Sequence, residues 1–149
     1  MRAYRRGFAI VMMNSNDSSD ASARGRSGEG LSSLPVAIVE DDQSVRESLE
    51  GLLESVGCRA IAYASAEEFL RSGRLHEIRC LISDIGLPGI DGIELLREAR
   101  KRRPDLPVII ITARHEPLVL QAALHAGARH VLQKPLNDTA LLDAIAATA

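Results

Sequence analysis

The sequence predicts an α/β fold in which helices cover both faces of a parallel five-stranded sheet. From Pro35 onwards, short apolar runs alternate with segments of helical periodicity, the pattern that parallel sheets produce. Five apolar runs have the length of buried strands, at residues 36–39, 58–63, 80–83, 108–112 and 130–132. Residues 35–149 therefore suffice for one (βα)5 unit with right-handed crossovers and leave no room for a second domain.

The first two helices are predicted from their start signals. Ser44 and Glu47 stand at capping-box spacing at the start of the first helix, and Gly57 is a stop signal for it. Ser65 and Glu68 repeat the capping-box spacing and open a short second helix that runs through Leu70.

The other three helices follow from periodicity and from proline and glycine. The third runs over about residues 92–103 and ends before Pro104. The fourth begins near Pro117, because proline suits the first turn of a helix, and ends at Gly127. The fifth begins near residue 137 or 138 and continues to the chain end with one apolar face.

The N-terminal part of the chain has a different composition. Ser, Gly, Asp and Arg dominate residues 14–34, and we expect residues 1–34 to be a disordered extension of a folded domain at residues 35–149. The apolar run at residues 8–13 is shorter than the roughly 7–15 residues of a signal-peptide core, and no segment has the length of a membrane helix. We therefore expect a cytoplasmic protein that does not bind membranes.

Charge and cysteine usage exclude further classes. The net charge of −2 gives no general attraction to nucleic acid or acidic membranes, so direct nucleic-acid binding is not expected. Cys58 and Cys80 match no metal-ligand spacing and predict free thiols in a reducing compartment.

Reactive side chains stand where the predicted strands end. Glu40, Asp41 and Asp42 follow the first strand, Asp84 the third, Thr112 closes the fourth, and Lys134 follows the fifth. In doubly wound sheets, ligands bind outside the carboxyl ends of the strands, at the point where strand order reverses. A strand order of 2-1-3-4-5 would bring these groups together.

Carboxylates gathered so closely repel one another unless a cation lies among them. Mg²⁺ fits, because it binds through a few carboxylates and keeps several waters. Lysine and a hydroxyl beside it predict an anion such as a phosphoryl group. Asp84, in the middle of the site, is placed to attack phosphorus and become an aspartyl phosphate.

Four motifs resemble the response-regulator receiver domain of bacterial two-component signalling. They are the acids after "VAIV", the segment "CLISDIGLPGIDG", the strand "VIIITA" and the turn "QKP". Each motif alone is weak, but the four occur in order, and the resemblance covers essentially all of residues 35–149. It implies the flavodoxin-like fold with strand order 2-1-3-4-5.

The resemblance implies roles for the acidic residues. Asp84 matches the family's phosphoacceptor, and Glu40 and Asp41 match the acidic pair that holds Mg²⁺. The backbone carbonyl of Gly86 matches the main-chain metal ligand. Asp42 falls one place beyond the pair, where we favour a turn position at the helix start over metal contact.

The resemblance also implies a conformational switch. Thr112 resembles the hydroxyl that moves onto the phosphoryl group, with the Ala113 N–H beside it. Lys134 resembles the lysine that pairs with the phosphoryl oxygens, and its bond to Pro135 would be cis. Val131 stands where the family often has an aromatic residue, so a large aromatic rotamer change is not expected here.

The implied partners are proteins. A sensor histidine kinase or histidine phosphotransferase would donate the phosphoryl group, and a downstream target would bind the face of helix four, strand five and helix five. Homodimerisation through helix four and strand five stays open. The chain is either a stand-alone receiver or a piece of a longer regulator, in which case a DNA-binding effector is the expected missing part.

Two other functions are weighed against the phosphoacceptor. One is a receiver-like interaction module that works without phosphorylation, which Val131 keeps open. The other is a Mg²⁺-dependent phosphatase similar to haloacid dehalogenases. Those enzymes begin with Asp-x-Asp, whereas residues 40–42 give Glu-x-Asp, and this chain is too short for their cap. We therefore expect no enzymatic activity beyond Mg²⁺-dependent self-phosphorylation and autodephosphorylation.

Overall fold

The structure, a computed structural model, describes residues 33–148. Five parallel strands form one sheet in the order β2-β1-β3-β4-β5. The strands are β1 (Val36–Val39), β2 (Ala60–Tyr63), β3 (Cys80–Asp84), β4 (Val108–Thr112) and β5 (His130–Gln133). The predicted fold class and strand order are confirmed.

A helix follows every strand. The helices are α1 (Gln43–Ser55), α2 (Ala66–Ser72), α3 (Gly92–Arg102), α4 (Pro117–His125) and α5 (Asp138–Ala146). A 3₁₀ turn at Leu75–Glu77 separates α2 from β3. All five helices lie close to their predicted positions, with ends that differ by a few residues.

Alternation along the strands produces a core on each face of the sheet. In β1, Ala37 and Val39 pack with apolar residues of α2, α3 and α4, whereas Val36 and Ile38 pack with those of α1 and α5. All four side chains are fully buried. Burial on both faces explains why the inner strands β1, β3 and β4 are almost continuously apolar.

The predicted capping box of the first helix is wrong. Asp42, not Ser44, is the N-cap of α1, and its Oδ1 accepts a hydrogen bond from the Val45 amide at 3.1 Å. Glu47 instead accepts a side-chain hydrogen bond from Gln43 at 2.8 Å. Asp42 is the N-cap because its backbone is still extended, as this position requires. Its predicted position in the turn at the helix start is thereby confirmed.

Other helix starts match their signals more closely. Ser65 caps α2 by accepting from the Glu68 amide at 3.1 Å, although Glu68 itself accepts from Ala64. Asn137 caps α5. A full capping box opens α3, formed by Asp91 and Glu94. This capping box was not predicted, although Asp and Glu stand there at the required spacing.

The second strand is shorter than predicted, since it begins at Ala60 rather than at residue 58. The backbone N–H of Cys58 donates to the Leu53 carbonyl at 2.9 Å and so closes the end of α1. Gly57, with φ of 80°, provides the left-handed turn at this point. Residue 58 therefore belongs to the helix end rather than to the strand.

Tyr63, at the carboxyl end of β2, connects the sheet to the β1–α1 loop. Its carbonyl accepts a hydrogen bond from the Glu40 N–H at 3.1 Å. Its ring meets Phe69 of α2 edge to face, with centroids 5.3 Å apart. This contact packs α2 against the end of the strand.

Some expectations concern parts of the chain that the structure leaves undescribed. The predicted disordered extension at residues 1–34 lies outside the described residues, apart from its last two positions.

Within residues 33–148, no helix has the length and apolar character to cross a membrane. Both cysteines are free, as predicted, with Cys80 buried and Cys58 half-buried.

Candidate functional site

Four chemically active side chains meet at the carboxyl edge of the sheet. Glu40 directly follows β1, Asp84 ends β3, Thr112 ends β4, and Lys134 directly follows β5. These strands are neighbours in the sheet, so their ends lie side by side. The position is the one at which doubly wound folds bind ligands.

Three carboxylates form a cluster at this edge. Ligand oxygens of Glu40, Asp41 and Asp84 all lie within 4.8 Å of one another. Glu40 is 1% exposed and Asp84 is 8% exposed, whereas Asp41 faces solvent. Burying two like charges so close together is unfavourable without a compensating cation.

Lys134 supplies part of that compensation. Its Nζ lies 3.2 Å from Glu40 Oε1 and 3.2 Å from Asp84 Oδ2. Burial of the ammonium acts to lower its pKa, but attraction to Asp84 and Glu40 outweighs burial and raises the pKa above 10.5. Lys134 therefore stays charged at neutral pH. One ammonium against three carboxylates still leaves the site negative.

The pKa of Glu40 is raised by its burial and by the neighbouring negative charge. Burial raises the pKa above 4.5, and the nearby Asp84 charge raises it further. The Asp42 N–H, 3.1 Å from Oε2, and Lys134 act in the opposite direction without cancelling the rise. The cluster thus has the donors of a hard-cation site: several carboxylate oxygens, partly buried, with excess negative charge. The residues present fit Mg²⁺.

The second oxygen of Asp84 faces the loop after β3. Oδ1 lies 3.4 Å from the Gly86 N, a long hydrogen bond, while Oδ2 meets Lys134. Gly86 itself is exposed. Behind the loop, a Cβ at Gly92 would overlap the Asp84 carbonyl, so α3 begins in direct contact with the end of β3. Glycine at position 92 permits this contact.

Thr112 is buried beside the cluster but is engaged elsewhere. Its Oγ1 accepts a hydrogen bond from the Arg114 N–H at 2.9 Å, and the side chain is 1% exposed. Ala113, next along the chain, is exposed. Because the oxygen accepts in this bond, the hydroxyl still has its own O–H to donate to an anionic ligand.

Val131 and Pro135 complete the predicted set. Val131 is buried in the core on the α2, α3 and α4 face and pairs with Ile110 in the sheet. Thr112 lies on the same face, two positions beyond Ile110. The Lys134–Pro135 peptide bond is cis, as the resemblance implies. The structure therefore brings carboxylate oxygens of Glu40, Asp41 and Asp84 within 4.8 Å of one another, with Lys134 in contact with Glu40 and Asp84. Thr112 ends the strand next to β3, and Val131 lies in the core on the same face as Thr112.

Two residues of this region were not predicted. Arg46, in the first turn of α1, donates from Nη1 to the Glu40 carbonyl at 2.8 Å and so braces the acidic loop. The sequence signal that could have indicated this contact is the position of Arg46, 6 residues after Glu40. Glu67, in the first turn of α2, accepts from the Ile90 N–H at 2.9 Å. No sequence signal joins these positions, because their contact depends on how α2 and α3 pack.

A flavodoxin-like sheet with carboxylates and a lysine at its carboxyl edge defines a class of signalling domains, the receivers. Residues 36–146 match the response regulator receiver domain family, and the chain belongs to that family. Response regulator receivers act in two-component signalling and are phosphorylated by histidine kinases. They are not typical enzymes.

Curated relatives agree with this assignment. The chain is 39% identical over 116 residues to the transcriptional regulatory protein FixJ of Azorhizobium caulinodans, covering 78% of this chain and 55% of that protein. It is 37% identical over 126 residues to nodulation protein W of Bradyrhizobium diazoefficiens, covering 83% of this chain and 56% of the relative. The chain thus spans about half the length of these curated relatives.

Solved receiver structures share the fold. A response regulator receiver domain protein from Clostridium thermocellum superposes with a TM-score of 0.73 at 27% identity, covering 77% of this chain and 93% of that chain. The crystal structure of FixJ-N gives a TM-score of 0.69 at 32% identity, covering 77% and 92% of the two chains. The similarity therefore extends over nearly the whole of these receiver chains.

Proposed function

We propose that this chain is a phosphoacceptor switch that is phosphorylated on Asp84. The observation that carries the proposal is the position of the Lys134 ammonium, 3.2 Å from Asp84 Oδ2 and 3.2 Å from Glu40 Oε1. A cation held there both neutralises Asp84 and can contact the oxygens of an incoming phosphoryl group. The surrounding carboxylates fit a divalent cation that such a reaction requires.

Phosphohistidine on a sensor histidine kinase or a histidine phosphotransferase is the proposed donor. An Asp84 carboxylate oxygen attacks phosphorus, the new O–P bond forms, and the P–N bond breaks with its electron pair returning to the imidazole. Lys134 balances charge on the phosphoryl oxygens. Mg²⁺, held by Glu40, Asp41, Asp84 and the Gly86 carbonyl, would supply further charge neutralisation when bound.

The proposed output is a change near Thr112 and α4. The phosphoryl group, with a charge of roughly −1.5 to −2, draws towards itself the Thr112 hydroxyl, which accepts from the Arg114 N–H before phosphorylation, and lies beside the Ala113 N–H. Val131, buried on the same face, fills the vacated space without an aromatic rotamer change.

A downstream protein is the proposed reader, at the face formed by α4, β5 and α5. On α4, Leu118 is 79% exposed and Leu124 is 40% exposed, so this helix presents apolar side chains to solvent. The same surface suits a homodimer. We further propose a cytoplasmic location, because the free thiols of Cys58 and Cys80 suit a reducing compartment.

The direct test is the intact mass of the chain after incubation with acetyl phosphate and Mg²⁺. We expect one phosphoryl adduct on wild type, none on Asp84→Ala and none on wild type with EDTA. An unmodified wild type would lead to a beryllofluoride titration followed by NMR. Absence of both the adduct and a spectral response would overturn the proposal in favour of an interaction module that works without phosphorylation.

A further inference from the structure

One hydrogen bond joins α2 to the loop that follows Asp84. Glu67 Oε2 accepts from the Ile90 N–H at 2.9 Å, although the two residues are 23 positions apart. Ile90 lies in the segment of residues 85–91 that connects β3 to α3, hereafter the β3–α3 loop. The bond therefore ties a neighbouring helix to the loop that starts at the proposed phosphoacceptor.

The loop is shaped to receive this carboxylate. Gly89 has a φ of 75°, and a Cβ at this position would overlap the Glu67 carboxylate. Any other residue at position 89 would meet both a strained backbone and this overlap. Acceptance of the Ile90 N–H is also the main reason why the pKa of Glu67 lies below its usual value of 4.5.

Backbone hydrogen bonds within the β3–α3 loop hold it together at a second point. The N–H groups of Leu87 and Gly92 both donate to the Ile85 carbonyl, at 2.9 and 3.0 Å, so both limbs of the loop return to Ile85. Ile90 lies within the ring that the Gly92 bond closes, but neither of these bonds uses its N–H, which Glu67 holds instead. Gly86 lies between these anchors, one residue from Ile85 and exposed to solvent.

We propose that Glu67 is a positioning residue that sets the divalent-cation affinity of the Asp84 site by holding the β3–α3 loop, without itself contacting the cation. The inference rests on the proposed function, in which the Gly86 carbonyl is a cation ligand. Glu67 does not belong to the Glu40, Asp41 and Asp84 cluster. Its influence passes through the loop backbone.

Glu67→Ala, Glu67→Gln and Glu68→Gln in the full chain separate positioning from charge. Glutamine at position 67 removes the negative charge but keeps an oxygen that can accept from Ile90. Glu68 is the matched control, because it lies in the same first turn of α2 and accepts from Ala64 instead. All three variants lower the negative charge of this edge by the same amount.

Two readouts are measured on each variant. Amide hydrogen exchange without metal reports on the Ile90 bond, and we expect Glu67→Ala to accelerate exchange at Ile90 about tenfold. A Mg²⁺ titration followed by NMR reports on affinity, and we expect the dissociation constant of Glu67→Ala to rise roughly fivefold, the scale of one net hydrogen bond. In Glu67→Gln, both the Ile90 exchange rate and the Mg²⁺ dissociation constant should stay close to their wild-type values. Glu68→Gln should change neither quantity by more than twofold.

Three results would overturn the inference. Equal loss of affinity in Glu67→Gln and Glu68→Gln would show that only charge matters. Unchanged affinity in Glu67→Ala, with wild type binding Mg²⁺, would refute positioning and leave the proposed function standing. A wild type that neither binds Mg²⁺ nor takes a phosphoryl group would refute the proposed function itself, whatever the exchange of Ile90 shows.

Discussion

At the scale of single residues, Lys134 and a divalent cation compete for the same carboxylates. The ammonium lies 3.2 Å from oxygens of both Glu40 and Asp84, so it reduces the negative charge available to a cation. We expect Lys134→Ala to tighten Mg²⁺ binding about threefold or more while slowing phosphorylation by acetyl phosphate at least tenfold. Titration and intact-mass kinetics at pH 8 would measure the two effects.

Lys134→Arg is the matched control, because arginine keeps the positive charge with a different shape. Its Mg²⁺ affinity should stay close to that of wild type. Equal affinities in wild type and Lys134→Ala would contradict the competition.

Glu40 should lower the stability of the metal-free protein. Its pKa in the folded state is raised above 4.5, first by burial, so the charged form disfavours folding. The resulting penalty is absent below pH 4.5, where the carboxyl is protonated in both states, and is complete once pH exceeds the raised folded pKa. We expect Glu40→Gln to raise Tm by roughly 2–4 °C at pH 7 in EDTA.

Glu40→Gln should lose its higher Tm in two conditions. The Tm difference should shrink as pH falls towards 4.5, and saturating Mg²⁺ should stabilise wild type but not Glu40→Gln. Thermal melts followed by circular dichroism at several pH values, with and without Mg²⁺, measure both trends. A variant less stable than wild type at pH 7 in EDTA would show that the Lys134 contact outweighs burial.

At the scale of elements, two helical glycines predict opposite effects of the same substitution. Gly51 is exposed within α1, and a Cβ there would have no neighbour within 4 Å. Gly51→Ala should raise the free energy of unfolding by up to about 1 kcal/mol, since glycine is a poor helix former. Gly92→Ala should lower it by about 2 kcal/mol or more, because the new Cβ overlaps the Asp84 carbonyl.

Urea unfolding gives both free energies, and acetyl phosphate labelling gives the functional difference. We expect Gly51→Ala to be phosphorylated like wild type and Gly92→Ala to be slowed, because the end of β3 must shift. A stable, fully active Gly92→Ala protein would mean that α3 can move away from β3 without consequence for Asp84.

The sequence predicted elements better than it predicted their ends. Apolar runs and helical periodicity are local, so all five strands and all five helices could be found from them. The start of α1 could not, because Asp42 and Ser44 are both good N-caps and only backbone direction after β1 selects Asp42. The contact of Glu67 with Ile90 depends on tertiary packing and has no local signal.

At the scale of the whole molecule, charge is segregated between the two edges of the sheet. From each strand's last residue through the first turn of the next helix, residues 33–148 carry ten acidic and three basic side chains. The acids are Glu40, Asp41, Asp42, Glu67, Glu68, Asp84, Asp91, Glu94, Glu116 and Asp138. The bases are Arg46, Arg114 and Lys134.

The opposite edge has the reverse balance. From each helix's last turn to the next strand, or to residue 148 after α5, the same part of the chain carries four acidic and nine basic side chains. The bases are Arg59, Arg71, Arg74, Arg79, Arg100, Lys101, Arg102, Arg103 and Arg129. The net charge of −2 conceals this polarity, which depends on the fold and could not be read from composition.

The acidic edge should repel small anionic phosphodonors. We expect phosphorylation by acetyl phosphate, at saturating Mg²⁺, to accelerate roughly twofold when NaCl is raised about tenfold to physiological ionic strength, because salt screens the repulsion. Phosphoramidate, which carries an ammonium group, should respond less. Intact-mass kinetics across the salt series measure both, and a rate that falls with salt for acetyl phosphate alone would contradict this role of the acidic edge.

The Tyr63 carbonyl accepts the Glu40 N–H, and the Tyr63 ring contacts α2 through Phe69. The chain has no tryptophan and two tyrosines, of which Tyr63 is the one within residues 33–148. The described residues thus contain one tyrosine fluorophore, whose backbone carbonyl is hydrogen-bonded to Glu40 of the acidic cluster. Because that backbone contact joins Tyr63 to the site, we expect the ultraviolet emission of Tyr4→Phe to change when Mg²⁺ binds, which would follow binding without any attached dye.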